Sequence, residues 1–399
     1  MAVTDTLVLR FADVGVATYA SLRMVGQPSS TLTWVVADPE VVSAVQQVAD
    51  ALPDPIGDEG RRNALDRALT RGALASPATE FEFARTLGAQ LIVPEAWQML
   101  VDCVGSPRAV LFVSPSARLA RIPWGLLAMP SDDGHRLMEL VDVLMAAPPN
   151  IVHSPRAPAG WKARRGRPPL LILDPRVPGQ RPDSALGSVL GRPSPDTSLA
   201  RHFADLMRRQ AVLPDVSAAV DLFRRTDVDR SSLAQLLAQN PSRLLYVGHA
   251  TAADGDVGHA DRAALHLAEH RPLTAADVMS SSLNMPPRVA LLACASGGDY
   301  QFDEASGLVA AMILGGAELV TATLWSLPTA AGYREFASSE ADPMADAVIA
   351  VDRAHETDDA GLAVNRWQRE GMRRWRDGDV TASPLYWASL VSFAVDGAR

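Results

Sequence analysis

The sequence predicts an α/β fold built on a mostly parallel sheet. Three observations carry this. Two short apolar runs, Arg243-Leu244-Leu245-Tyr246-Val247-Gly248-His249-Ala250 and Arg288-Val289-Ala290-Leu291-Leu292-Ala293-Cys294-Ala295, are each followed by small residues. Continuous apolar runs of that length are what strands look like when helices cover both faces of a sheet. From about residue 170 onward, strand-like and helix-like segments alternate, which implies right-handed crossovers between parallel strands. Finally, 48% apolar against 21% charged residues in 399 supplies enough material for a large core.

Taken in order, the elements support this class. Residues 6–11 and 32–36 read as strands, and a helical pattern starts at Glu40. Residues 57–74, 79–87 and 89–99 have helical character, and a strand follows at 109–113. Residues 154–169, rich in Pro, Gly and Arg, form the clearest boundary, so the chain is expected to divide into an N-terminal α/β subdomain, 1–160, and a second domain, 161–399. In the second domain 170–173 is a strand, 179–195 a Pro/Gly-rich loop, 197–209 a helix, 218–223 a strand or second helix, and 231–237 a helix. The His249 and Cys294 strands come next, then a helix at 305–314 and a strand at 319–325. No repeat at solenoid period is visible.

Composition excludes several functions. A net charge of −9 and the lack of any basic, aromatic-interleaved segment argue against direct nucleic-acid binding. The densest basic cluster, Arg156, Lys162, Arg164, Arg165 and Arg167, reads as a solvated connector. Two cysteines, Cys103 and Cys294, give no disulfide framework, and the N-terminus lacks a signal-peptide pattern, so a cytoplasmic protein is expected. Residues 305–325 are apolar, but Ser306, Glu318 and the Gly315-Gly316 break favour helix, turn and buried strand over a membrane span. No phosphate-binding glycine loop is present, and no cofactor is expected.

His249 and Cys294 stand at the ends of neighbouring predicted strands, where parallel sheets carry their chemistry, and can serve as base and nucleophile. Cys103, in Leu100-Val101-Asp102-Cys103-Val104, reads as structural. Two rival sites are weaker. Ser296 in Cys294-Ala295-Ser296-Gly297-Gly298 superficially matches a nucleophile elbow, but only His355 lies downstream. His266-Leu267-Ala268-Glu269-His270 matches a short zinc pattern, but Pro272 ends any helix there and no third ligand is evident, so no metal is expected.

From about Val110 to the C-terminus, roughly three quarters of the chain, the sequence resembles the CHAT proteases, bacterial relatives of caspases and separases. The stretches that carry the resemblance are Phe112-Val113-Ser114-Pro115, Ile122-Pro123-Trp124, Leu173-Asp174-Pro175, Gly248-His249, Ala293-Cys294-Ala295-Ser296-Gly297, Glu304 through Gly307-Leu308, Gly316-Ala317, Ala322-Thr323-Leu324-Trp325 and Tyr386-Trp387-Ala388. Caspases place their histidine about 50 residues before the cysteine, and here the separation is 294 − 249 = 45. The resemblance implies a caspase-like fold and a His249/Cys294 dyad in a cysteine endopeptidase. It implies an oxyanion hole made by the N–H groups of Cys294 and of the residue after the histidine, usually Gly and here Ala250. Asp299, Asp303 and Glu304 then either line a pocket for a basic substrate residue or cap a helix N-terminus. Asp254 and Asp256, in the loop after His249, either orient substrate or serve the turn. Trp325 falls on a substrate-lining strand, with a buried anchor as the alternative. The resemblance implies that the N-terminal segment packs against the protease as a degenerate copy of it. The implied partners are a protein substrate and a separate sensor or activator, in bacterial defence or regulated cell death. The different-class alternative is a catalytically silent scaffold or interaction module.

Overall fold

The computed structural model describes residues 5–399 except 106, 132–133, 157, 159, 183, 252–259, 282, 294–306, 338 and 396. The chain forms two compact units, Met1–Ala146 with Asn365–Ser389, and Ala147–Val364 with Leu390–Arg399. The first crossing falls after Ala146, whereas the sequence pattern sets its cut at residue 160. The recruitment of Asn365–Ser389 to the N-terminal unit has no counterpart in the sequence pattern.

In the N-terminal unit the strands are β1 (Thr6–Asp13), β2 (Ala17–Met24), β3 (Thr31–Ala37), β4 (Val110–Ser114) and β5 (Asp142–Ala146), ordered β3-β2-β1-β4-β5. β1, β2 and β3 form an antiparallel meander, whereas β1, β4 and β5 run parallel. Alternation in β1 buries Leu7, Leu9 and Phe11. β2 has the same alternation but buries Thr18, Ala20 and Leu22, too weakly apolar a set to stand out in sequence. Helices Asp38–Ala51, Pro77–Leu91 and Pro94–Asp102 follow, the second started by Ser76, whose side chain accepts the Thr79 N–H at 3.2 Å. The expected helix at 57–74 is shorter: Gly57 adopts φ +56°, and helical backbone runs over Arg61–Asp66 and Arg67–Arg71. Asn365 explains how the late segment joins this unit. Its amide takes the Val143 N–H at 2.8 Å and donates to the Val143 carbonyl at 3.0 Å, as a neighbouring strand would.

In the second unit β6 (Leu170–Leu173), β7 (Arg243–Val247), β11 (Arg288–Leu292), β12 (Leu319–Thr323) and β13 (Leu390–Ala394) are ordered β13-β12-β11-β7-β6. All neighbours are parallel except β13, which is antiparallel to β12. Every residue of β6, β7, β11 and β12 is buried, so both faces are covered. A small antiparallel sheet, β10-β9-β8, comprises β8 (Ala250–Thr251), β9 (Ala264–Leu265) and β10 (Leu273–Thr274). Helices Ser198–Arg209, Arg230–Ala238, Leu308–Leu314 and Pro343–Ala354 intervene, and 218–223 resolves into a single helical turn, Ala219–Leu222. The fold is therefore α/β with a mostly parallel sheet. No helix among the described residues is long and apolar enough to cross a membrane.

The amino ends of β7 and β11 are locked by buried arginines, which leaves the carboxyl ends for chemistry. Arg243 pairs with Asp352 at 2.9 Å, and Asp352 also contacts His202 at 2.8 Å. Arg288 donates to the carbonyls of His355 and Asp358, both at 2.9 Å, and its guanidinium lies 3.7 Å from the Trp161 ring centroid. His355 is fully enclosed, with Nε2 2.8 Å from Thr321 Oγ1 and no hydrogen-bond partner for Nδ1 among the described residues. Burial, and then the charges of Arg288 and Arg243, pull its pKa down to about 3. A histidine depressed in the folded state binds fewer protons there than when unfolded. Its contribution is therefore complete above the ordinary range near 6.5 and is lost as pH falls below it. Between pH 7 and pH 5 this one group is expected to cost about 2 kcal/mol of stability. Urea unfolding at the two pH values should show that loss in the native sequence and not in His355→Gln; equal losses in both would assign the acid sensitivity elsewhere.

Candidate active site

The carboxyl ends of β6, β7, β11 and β12 share one edge of the second unit. His249 follows β7 by two residues. Gly248 between them is required for space, since a Cβ there would come 2.8 Å from Tyr246 Oη and 3.3 Å from Pro175 Cδ. The carbonyl of His249 is held from two sides. It accepts the His266 N–H at 3.0 Å, and the hydroxyl of the buried Tyr246 lies 2.7 Å away, shared with the His266 carbonyl at 2.8 Å. The backbone of His249 is thus set before its ring makes any contact.

The ring is oriented by a loop that returns from β6. Nε2 of His249 lies 3.1 Å from the carbonyl oxygen of Gly187. A carbonyl only accepts, so in the neutral ring Nε2 carries the proton and Nδ1 the lone pair. Gly187 must itself be glycine, because a Cβ would meet the Pro182 carbonyl oxygen at 2.2 Å. The loop at 179–195 has little apolar surface, yet polar hooks hold it: Ser188 Oγ donates to Asp174 Oδ2 at 2.6 Å and the Ser188 N–H to the Pro182 carbonyl at 2.9 Å.

Cys294 lies outside the described residues, as do Asp254, Asp256, Ser296, Asp299, Asp303 and Glu304. The strand leading to Cys294 is described. β11 runs parallel to β7 with Leu292 opposite Val247 and Arg288 opposite Arg243, a register offset of 45 that equals the separation of His249 and Cys294 in sequence. The Gly248 N–H reaches the Leu292 carbonyl at 3.3 Å, and Thr323 Oγ1 of β12 donates to the carbonyl of the buried Ala293. Cys103, by contrast, is half-buried at the end of helix Pro94–Asp102, where burial and the charges of Asp5 and Asp102 push its thiol pKa up.

Ala250 begins β8 opposite Leu265 of β9. In an antiparallel ladder, hydrogen-bonded and non-bonded pairs alternate. The His266 N–H bonds the His249 carbonyl, so the next pair, Ala250 and Leu265, is a non-bonded one and the Ala250 N–H points away from β9. β8 is the outer strand of this sheet, and Ala250 is not among the described residues with positive φ. Alanine therefore meets no backbone demand here that only glycine satisfies.

Trp325 follows β12 and is completely buried, so it presents no surface in this structure. The zinc-like His266-x-x-Glu269-His270 segment has other employment. His266 Nε2 lies 2.5 Å from Thr251 Oγ1, burial and the proximity of His249 lower its pKa, and Glu269 pairs with Arg230 at 3.0 Å. Sequence patterns assign no role to Asp174, Gly187, Arg224 or Tyr246. Only Asp174, at a strand end before a proline, carried a local signal.

The model of the CHAT domain matches residues 82–395 of this chain. Chains in crystal structures of the Saccharomyces cerevisiae separase–securin complex, at 2.6 and 3.0 Å, superpose over 98% of it at 11% and 10% identity with TM-scores of 0.49 and 0.46. The chain spans 30% of the length of each. No curated protein is similar enough to count as a match. With the family model covering most of its length and both predicted strand ends, the chain belongs to the CHAT domain family.

Proposed function

We propose that the chain is a cysteine endopeptidase that cuts a specific partner protein, with Cys294 as nucleophile and His249 as general base and acid. The observation that carries this is the orientation of His249. Its ring stands past the end of β7, with Nε2 given to the Gly187 carbonyl, and the neighbouring strand continues in register toward position 294. In the reaction Nδ1 takes the thiol proton, the thiolate attacks the peptide carbonyl, and Nδ1 returns the proton to the amine as the C–N bond breaks; a water deprotonated by Nδ1 then hydrolyses the thioester, releasing the carboxylic acid and restoring the thiol. The N–H groups of Ala250 and Cys294 stabilise the oxyanion. Asp299 would contact the substrate, while Trp325, completely buried after β12, fits the buried-anchor alternative. Family membership extends the proposal to a dedicated protein target in bacterial defence or regulated cell death, under the control of a separate sensor or activator.

Iodoacetamide labelling read by mass spectrometry tests the nucleophile. At neutral pH Cys294 is expected to alkylate at least about tenfold faster than Cys103, whose thiol is held protonated. Incubation with candidate partner proteins, followed by sequencing of the new fragment N-termini, then identifies the target. Equal, slow labelling of both cysteines together with no cleavage would favour the silent scaffold.

A further inference from the structure

We propose that Asp174 and Arg224 are positioning residues for His249: together they hold the 187–190 loop so that the Gly187 carbonyl sets the orientation and tautomer of the imidazole ring. The inference rests on His249 acting as the base. Asp174 follows β6 directly and is completely buried, and its carboxylate receives only donors. Oδ1 accepts the Val189 N–H and Arg224 Nη1, both at 3.2 Å, and Oδ2 accepts Ser188 Oγ at 2.6 Å and the Leu190 N–H at 3.3 Å. Three consecutive loop residues are therefore fastened to one side chain.

Arg224 closes the arrangement. Its Nη1 donates to Asp174 Oδ1 and also to the Gly187 carbonyl at 2.9 Å, the same oxygen that faces His249 Nε2 at 3.1 Å. The Arg224 N–H is tied to the Leu173 carbonyl at 3.1 Å, and the Asp174 N–H to the Val247 carbonyl at 2.6 Å, so both residues are anchored on strand ends. Both also adopt positive φ, +52° for Asp174 and +54° for Arg224, and among the described non-glycine residues only Asn240 shares that property. Such backbone persists only where surrounding contacts over-determine it, and it concentrates at functional sites. A loop that merely needed covering would not require two strained residues, one donating to the Gly187 carbonyl and the other, bonded to it, fastening the next three residues. Here that carbonyl decides which imidazole nitrogen has the lone pair.

The test uses the full chain labelled with 15N-histidine, with the His249 ring assigned by its loss in His249→Gln. The native protein should show the Nε2–H tautomer. Arg224→Met and Asp174→Asn should move the ring to a mixed population and lower kcat roughly 10- to 100-fold with KM little changed, and Arg224→Lys, which keeps a charged donor, should recover part of both. If the buried-site variants do not fold, Ser188→Ala, which removes one hook, decides by the same ring signal. A folded Arg224→Met or Ser188→Ala with native tautomer and native kcat overturns the inference. The ring signal does not require activity, so a tautomer shift in a chain that cleaves nothing would retain the positioning role and reject the protease, whereas an active protease with an unmoved tautomer would do the reverse.

Discussion

Replacing Cys294 by Ala is expected to abolish proteolysis, with turnover falling at least about 10^4-fold, and His249→Ala should do the same. Neither change should unfold the protein. The His249 backbone is held through its carbonyl by His266 and Tyr246, not through its ring, so removing the ring leaves those contacts in place. Residues that act as one unit lose activity together, and the double variant should be no slower than either single one. Cleavage of the partner protein followed by gel densitometry checks this. Full activity in Cys294→Ala on every substrate would overturn the nucleophile assignment, and full activity in His249→Ala would remove the base.

Ala250→Pro is expected to lower kcat by about 100-fold or more, the effect of deleting one oxyanion donor. The register makes this substitution informative. Because the Ala250 N–H points away from β9, proline there removes no ladder hydrogen bond. Thermal stability should consequently change little while turnover collapses. Ala250→Gly should retain activity, since the N–H remains and the position needs no positive φ. If Ala250→Pro folds and turns over at the native rate, the oxyanion is held by other donors.

Much of the fold was legible in the sequence because it rests on local pattern. The buried strands β6, β7, β11 and β12 are short and mostly apolar, and the sequence pattern places each within a few residues. β2 leaves no sequence signal because its inward positions, Thr18, Ala20 and Leu22, offer little hydrophobic contrast to the outward ones. The helix at 57–74 is shorter than its charge pattern suggests, because that pattern does not show that Gly57 takes a left-handed turn.

By itself the sequence determined the mostly parallel α/β class and the position of His249 at a strand end. Hydrophobic periodicity and the small residues after a strand are written in consecutive positions, so they survive without coordinates. Only the tertiary structure decided how His249 is held. Gly187 lies 62 residues before it, and Arg224 lies 50 residues from its Asp174 partner. Polar contacts across such separations follow no period. The tertiary structure also decided which way the Ala250 N–H points, because the pairing of β8 with β9, not the identity of the residue, sets that direction. For the same reason Asn365–Ser389 joined the N-terminal unit: the backbone of Val143 needed partners, and Asn365 supplies them from 222 residues away.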